Sequence, residues 1–141
     1  MAAVSTPQHH PGSHERHAFV YATLRAVPRV DRGEFVNVGV ILYCQALEYL
    51  TASVVLDPVR LRAIAPDVDI EAVQTSADAV VTACRTPVGL ARENEGQAVR
   101  FGMLTAPRST VVQPSPVHAG LTTHPARTLV QLLDRLVAPP R

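Results

Sequence analysis

Twelve prolines divide this chain of 141 residues into short pieces. Proline has no backbone N–H to donate and fixes φ, so it ends helices and is kept out of central strands. The proline-free windows 17–27, 29–57, 67–86, 88–106 and 126–138 therefore mark where regular structure can form. Segment 18–27, Ala-Phe-Val-Tyr-Ala-Thr-Leu-Arg-Ala-Val, is rich in aromatic and β-branched residues and stops at Pro28, which predicts a strand. Val30 to Gly33 reads as a turn. Segment 34–44 is the strongest strand in the chain, and the short connection Gln45 to Glu48 leads into a third strand at 49–56. Connections this short join antiparallel neighbours, so the three form a meander.

Asp57-Pro58 pairs a good N-cap with a residue pre-organised for the first helical position, which predicts a short helix ending at Pro66. Asp67 or Asp69 caps a longer helix to about Arg85, where Ile70, Val73, Ala77, Val80, Val81 and Cys84 form one buried stripe. Segment 88–99 reads as a loop containing Gly and charge, Phe101 to Leu104 as a helical turn, and Ser109 to Gln113 as a fourth strand halted by Pro114 and Pro116. Thr123 is the expected cap of a last helix with the stripe Leu129, Leu132, Leu133, Leu136 and Val137. The expected fold is α+β: an antiparallel sheet, a three-stranded meander plus a fourth strand, with helices packed on one face. Residues 1–16 read as a disordered leader, 17–137 as one domain and 138–141 as a frayed tail.

Side chains alternate across a strand. Val20, Ala22, Leu24 and Ala26, then Val36, Val38, Val40 and Leu42, then Leu50, Ala52, Val54 and Leu56 are wholly apolar sets, so theirs is the face expected under the helices. The opposite face carries Phe19, Tyr21, Thr23 and Arg25, then Phe35, Asn37, Gly39, Ile41 and Tyr43, then Tyr49, Thr51, Ser53 and Val55. Asn and Gly are poor strand residues, and breaks in a local rule are enriched at functional sites. One reading is a shallow ligand or partner site floored by Asn37 and Gly39, with Arg25 as a hook for an anion. Against it stands a structural reading: Gly39 marks a bulge, Asn37 satisfies a buried backbone group, and the C-terminal segment packs over this face.

The stretch Arg100 to Thr122 sets Arg108, Ser109, Thr110, Gln113, Ser115 and His118 between prolines. Arg108, Ser109 and Thr110 offer donors to a phosphate, without a Gly-rich loop to cradle it. Ser115 and His118 are three residues apart in an extended segment and point to opposite faces, which argues against a nucleophile-and-base pair.

Composition closes several other routes. Thirteen basic residues against twelve acidic ones leave a net charge of +1, which argues against a dedicated nucleic-acid or membrane-surface binder. Every basic residue is Arg, so mechanisms that need a Lys Schiff base or a P-loop Lys are excluded. Two cysteines, Cys44 and Cys84, make no zinc ribbon or disulfide framework. The leader's His9, His10 and His14, with His17 at its edge, have no Cys or carboxylate cluster to complete a coordination shell, so no metal and no cofactor are expected. No strictly apolar run exceeds that of Val40 to Cys44, far short of the roughly 20 residues of a membrane span. With no signal peptide and two isolated thiols, the expected location is cytoplasmic.

Gly33-Glu34-Phe35-Val36-Asn37-Val38-Gly39-Val40 and Thr105-Ala106-Pro107-Arg108-Ser109-Thr110-Val111-Val112-Gln113-Pro114-Ser115-Pro116-Val117-His118, with Leu61-Arg62-Ala63-Ile64-Ala65-Pro66-Asp67 between them, resemble signature stretches of the bacterial DUF3037 family. The resemblance spans about residues 17–137. One departure is Met103, where relatives are expected to carry Trp. The resemblance implies a small cytoplasmic protein of actinobacteria or other bacteria, of a family without an established activity. It also implies an accessory or antitoxin-like pairing with a HipA-like kinase.

The leading expectation is therefore a non-enzymatic binding or regulatory module that docks a protein partner through Arg25, Asn37, Gly39, Arg108, Ser109, Thr110, Ser115 and His118. The alternative is a small enzyme acting on a phosphate-bearing or nucleotide substrate, with His118 as acid–base group and Arg108 as charge stabiliser. It needs His118, Arg108 and Arg25 or Glu34 to converge in one pocket. A third reading is a homodimer paired through its sheet, with the mixed face as the interface.

Overall fold

A computed structural model describes residues 15–85 and 93–139. Nearly all of the expected leader, the first part of the expected loop at 88–92 and the last two residues of the expected tail lie outside the described residues. In chain order the described residues form β1 (His17–Ala26), β2 (Val36–Cys44), β3 (Tyr49–Val54), α1 (Pro58–Ile64), α2 (Ile70–Arg85), α3 (Glu93–Leu104), β4 (Val112–Pro114), β5 (His118–Thr122) and α4 (Pro125–Leu136). The fold is α+β, with an antiparallel five-stranded sheet among these residues. The strand order is β3-β2-β1-β4, and β5 shares the outer edge of β1 with β4. β4 pairs with Leu24–Ala26 and β5 with His17–Tyr21. No described helix is long and apolar enough to cross a membrane.

The meander forms as the sequence predicts, but a bulge changes what β2 faces. Leu24 is opposite Gly39 while Arg25 is opposite Asn37, which leaves Val38 as the extra residue. Val36 and Val38 therefore share a core with Ala22, Leu24, Ala26, Leu50 and Ala52. Beyond the bulge Ile41 and Tyr43 take that side, while Val40, Leu42 and Cys44 turn to the other. The expectation that four alternating residues of β2 line one face is corrected here, because one inserted residue reverses the parity of everything after it. Gly39 is required at the bulge: a Cβ there would lie 2.7 Å from both the Ser53 carbonyl oxygen and Val54 Cγ1.

The split strand gives the sheet two apolar surfaces, and helices cover both. On one side lie Val73, Ala77, Val80 and Cys84 of α2, Leu61 of α1 and Phe101 of α3. On the other, Leu129 and Leu132 of α4, with Val137 just beyond it, pack on Phe19, Val40, Leu42 and Cys44. Helices on one face alone was the expectation; α4 occupies the opposite one. Burying each Leu or Val contributes about 1.5–3 kcal/mol, so the small second core is enough to hold a three-turn helix.

The helix starts follow local chemistry. Asp57 Oδ1 accepts from the Val59 and Arg60 N–H groups at 3.1 and 3.3 Å, and Asp69 Oδ1 accepts from Ala72 N–H at 3.0 Å. His124, rather than Thr123, caps α4: its Nδ1 accepts from Arg127 N–H at 3.3 Å and Pro125 follows it. Residues 93–99, expected as loop, are helical and continuous with Phe101–Leu104. Gly96 and Gly102 obscured this helix, since each weakens helix propensity by about 1 kcal/mol against Ala. The fourth strand is shorter and later than expected, and β5 was not anticipated between Pro116 and Pro125.

Candidate functional site

α4 lies over β2 and β3, and the same side of β1, β4 and β5 is left partly open. On this side β1 carries Phe19, Tyr21, Thr23 and Arg25; Phe19 and Thr23 are buried, while Tyr21 and Arg25 keep some exposure. The Tyr21 ring centroid is 5.3 Å from that of His118 and 6.0 Å from that of Phe19. Phe19 fills the space above Gly120, where a Cβ would come within 2.8 Å of the ring. At the far end of the strip, the Arg25 guanidinium carbon sits 4.1 Å from the Phe35 ring centroid, and Phe35 is 44% exposed. This is cation–π geometry. Arg25 Nε is buried and has no hydrogen-bond partner among the described residues. Asn37 and Gln113 are its neighbours on the flanking strands.

Several candidate residues have structural duties. Asn37 Nδ2 donates to the Leu136 carbonyl at 3.0 Å, and Arg60 Nη1 donates to the Val137 carbonyl at 2.8 Å. The last carbonyls of a helix lack intrahelical partners, so these two side chains close the C-terminal end of α4. The Arg60 cation also complements the negative end of the helix dipole. Asn37 and Gly39 do not floor one site: the bulge sends Asn37 toward α4 and Gly39 toward Leu24 and Val54. Ser115 is buried where Pro114 and Pro116 interrupt the edge strand. Its N–H donates to the Thr23 carbonyl at 2.9 Å, and its Oγ accepts from Thr23 N–H at 2.9 Å. The same hydroxyl donates to the Pro116 carbonyl at 2.8 Å, so it stands in for a missing main-chain acceptor and is no free nucleophile.

Arg108 and Thr110 belong to the other side of the sheet. They line a hollow of about 270 Å³ with Ser76, Ala79, Val80, Leu104 and Val112. Arg108 Nη2 donates to the Met103 carbonyl at the end of α3, and Thr110 Oγ1 donates to the Val112 carbonyl at 2.8 Å. Ser109 is exposed beside them. His118 packs on Tyr21 on the α4 side, so the sheet separates it from Arg108. Arg25 is on the side of His118 but four β1 residues away from its partner Tyr21, or about 13 Å. Glu34 is exposed in the β1–β2 hairpin and paired with Arg32 at 2.7 Å, which holds its carboxyl below the usual carboxylate range. The convergence that the enzymatic alternative needs is absent.

Two features escaped the sequence reading. Arg100 is only 4% exposed, its Nε donates to the Gly96 carbonyl at 3.1 Å, and its Nη1 has no partner among the described residues. It borders a hollow of about 280 Å³ with Tyr49, Thr51, Cys84, Arg85 and Gln97. Burial pushes the Cys84 thiol up to about 11, against the opposing pull of Arg100, so it stays protonated at neutral pH. A larger hollow of about 650 Å³ is lined by Tyr43, Gln45, Glu48 and Gln97 with three alanines, and none of the candidate residues reaches it. No pattern in the sequence marks either, because both depend on α3. The described residues include no cluster of three His, Cys, Asp or Glu able to hold a metal.

A family model described as a protein of unknown function (DUF3037) matches residues 21–137. The chain belongs to the DUF3037 family. The DUF3037 match begins inside β1 and ends at Val137, whose carbonyl Arg60 holds, so it takes in most of both cores and leaves out Phe19 and Val20. Met103, the position where DUF3037 relatives were expected to carry Trp, is 55% exposed at the end of α3 and is no core residue. No curated protein and no solved structure matches the chain.

Proposed function

We propose that this DUF3037 domain is a non-enzymatic binding module that docks an acidic segment of a protein partner on the open strip headed by Arg25 and Phe35. The observation that carries this is the stacked Arg25–Phe35 pair: a guanidinium with no acidic partner among the described residues, laid on an aromatic ring that is itself half in solvent. Arginine and aromatic residues dominate the energetics of protein interfaces, and stacking pre-orders the guanidinium fork for a carboxylate. His118 on Tyr21 extends the same strip. Asn37 and Ser115 serve it indirectly, by fixing α4 and the edge strand on either side. Arg108, Ser109 and Thr110 fall outside it, and Gly39 acts within the fold. The first partner to test is a HipA-like kinase in the bacterial cytoplasm, as the family resemblance implies.

The test is co-expression of the kinase with wild-type chain, Arg25→Glu and Phe35→Ala, followed by affinity capture. Arg25→Glu should lose the kinase and Phe35→Ala should recover less of it, with circular dichroism unchanged. Equal recovery by all three folded proteins overturns the proposal.

A further inference from the structure

Among the described residues, no strand pairs with the outer edge of β5. Backbone groups alternate in direction along a strand. Thr23 exchanges its N–H and C=O with Ser115, and Val27 N–H donates to the Val111 carbonyl, so the odd-numbered residues of β1 point toward β4 and β5. His17, Phe19 and Tyr21 are the partners of Thr122, Gly120 and His118, so those β5 residues direct their groups to β1. Ala119 and Leu121 therefore turn their N–H and C=O groups outward, and these have no backbone partner among the described residues. Natural edges are blunted by charge, proline or a bulge. Pro114 and Pro116 guard the β4 half, but β5 has none of these, and from Ser109 to Ala126 there is no Asp, Glu, Lys or Arg. Leu121 is 61% exposed beside the exposed Ala119 and Ala18.

We propose that a second copy of this chain pairs with this edge, β5 antiparallel to β5, about a two-fold axis through Gly120. The segment is self-complementary. Ala119 meets the partner's Leu121, and Leu121 meets the partner's Ala119, so the outward N–H and C=O groups of both copies bond reciprocally with none left over. Shifted by two residues, only one of the two outward residues keeps its match within the strand. Leu121 then packs a small apolar neighbour, and the uncharged stretch brings no like charges together. The dimer leaves the Arg25–Phe35 strip free, because β5 pairs with the opposite end of β1. Loss of one proposal therefore does not entail loss of the other.

Sedimentation velocity of the full chain over a concentration series tests this. The wild type should show a reversible dimer. Leu121→Lys, at a solvent-facing position, should weaken it by about tenfold or more. Ala119→Pro deletes an outward donor that β1 does not use and should do the same; should it fail to fold, Leu121→Lys carries the test alone. Amide exchange at Ala119 and Leu121 should slow as concentration rises. A wild type that stays monomeric throughout, a dimer indifferent to Leu121→Lys, or exchange at these amides independent of concentration each overturns the proposal.

Discussion

On the α2 side of the sheet, Ala22, Leu24, Ala26, Val38 and Ile41 meet Val73, Ala77 and Val80 in an aliphatic layer. On the α4 side, Leu129, Leu132 and Val137 cover β2 and β3, while Tyr21 and Arg25 on β1 and His118 on β5 keep contact with water. The first face is closed at its centre by aliphatic packing. The second is assembled from a small core, two side chains that hold the end of a helix, and an aromatic strip with a cation at one end. Polar residues in a strand thus divide by what they touch. Asn37 is absorbed by the fold, and Arg25 is left over for something outside it.

This contrast can be broken by experiment. Leu24→Ala should cost about 3 kcal/mol in urea unfolding, as a fully buried Leu, whereas Tyr21→Ala on the half-open side should cost much less; equal losses would mean that the two faces are equally sealed. Gly39→Ala should cost about 2 kcal/mol, because the added methyl meets the Ser53 carbonyl and Val54. Asn37→Ala should cost about 1–2 kcal/mol by orphaning the Leu136 carbonyl, with faster amide exchange confined to α4. Arg25→Ala should change stability by less than about 1 kcal/mol, since only a half-exposed stacking contact is lost. The smallest effect concerns pH. The Cys84 thiol ionises near 9 when unfolded and near 11 when folded, so the unfolded chain loses its proton first and stability declines between those values. Cys84→Ala should lessen the decline in a pH series of melting temperatures, and the part that remains falls to groups such as Tyr43, whose hydroxyl burial also pushes up.

Much of the frame is legible in the residues. Asp57-Pro58 announces α1, and the Ile70–Cys84 and Leu129–Val137 stripes announce α2 and α4. The bulge is not legible, because past Gly39 both parities of β2 are apolar and no alternation betrays the change of side. α3 hides behind two glycines and a polar first turn, and with it the buried Arg100. Arg108 and His118 are ten residues apart in the chain, yet the edge of the sheet passes between them. Of the two readings of Asn37, the structural one holds: it serves a buried backbone group, the Leu136 carbonyl in the last turn of α4, 99 positions away.

The one-residue bulge in β2 also sets what kind of change the strand withstands. Exchanging Val40, Ile41 or Leu42 for another aliphatic leaves each side chain in a greasy environment whichever way it points. Deleting one of them is different: loss of Val40 would swap every later residue of the strand between layers, sending Tyr43 under α4 and Cys44 toward α3. The strand is thus lenient about identity and strict about length.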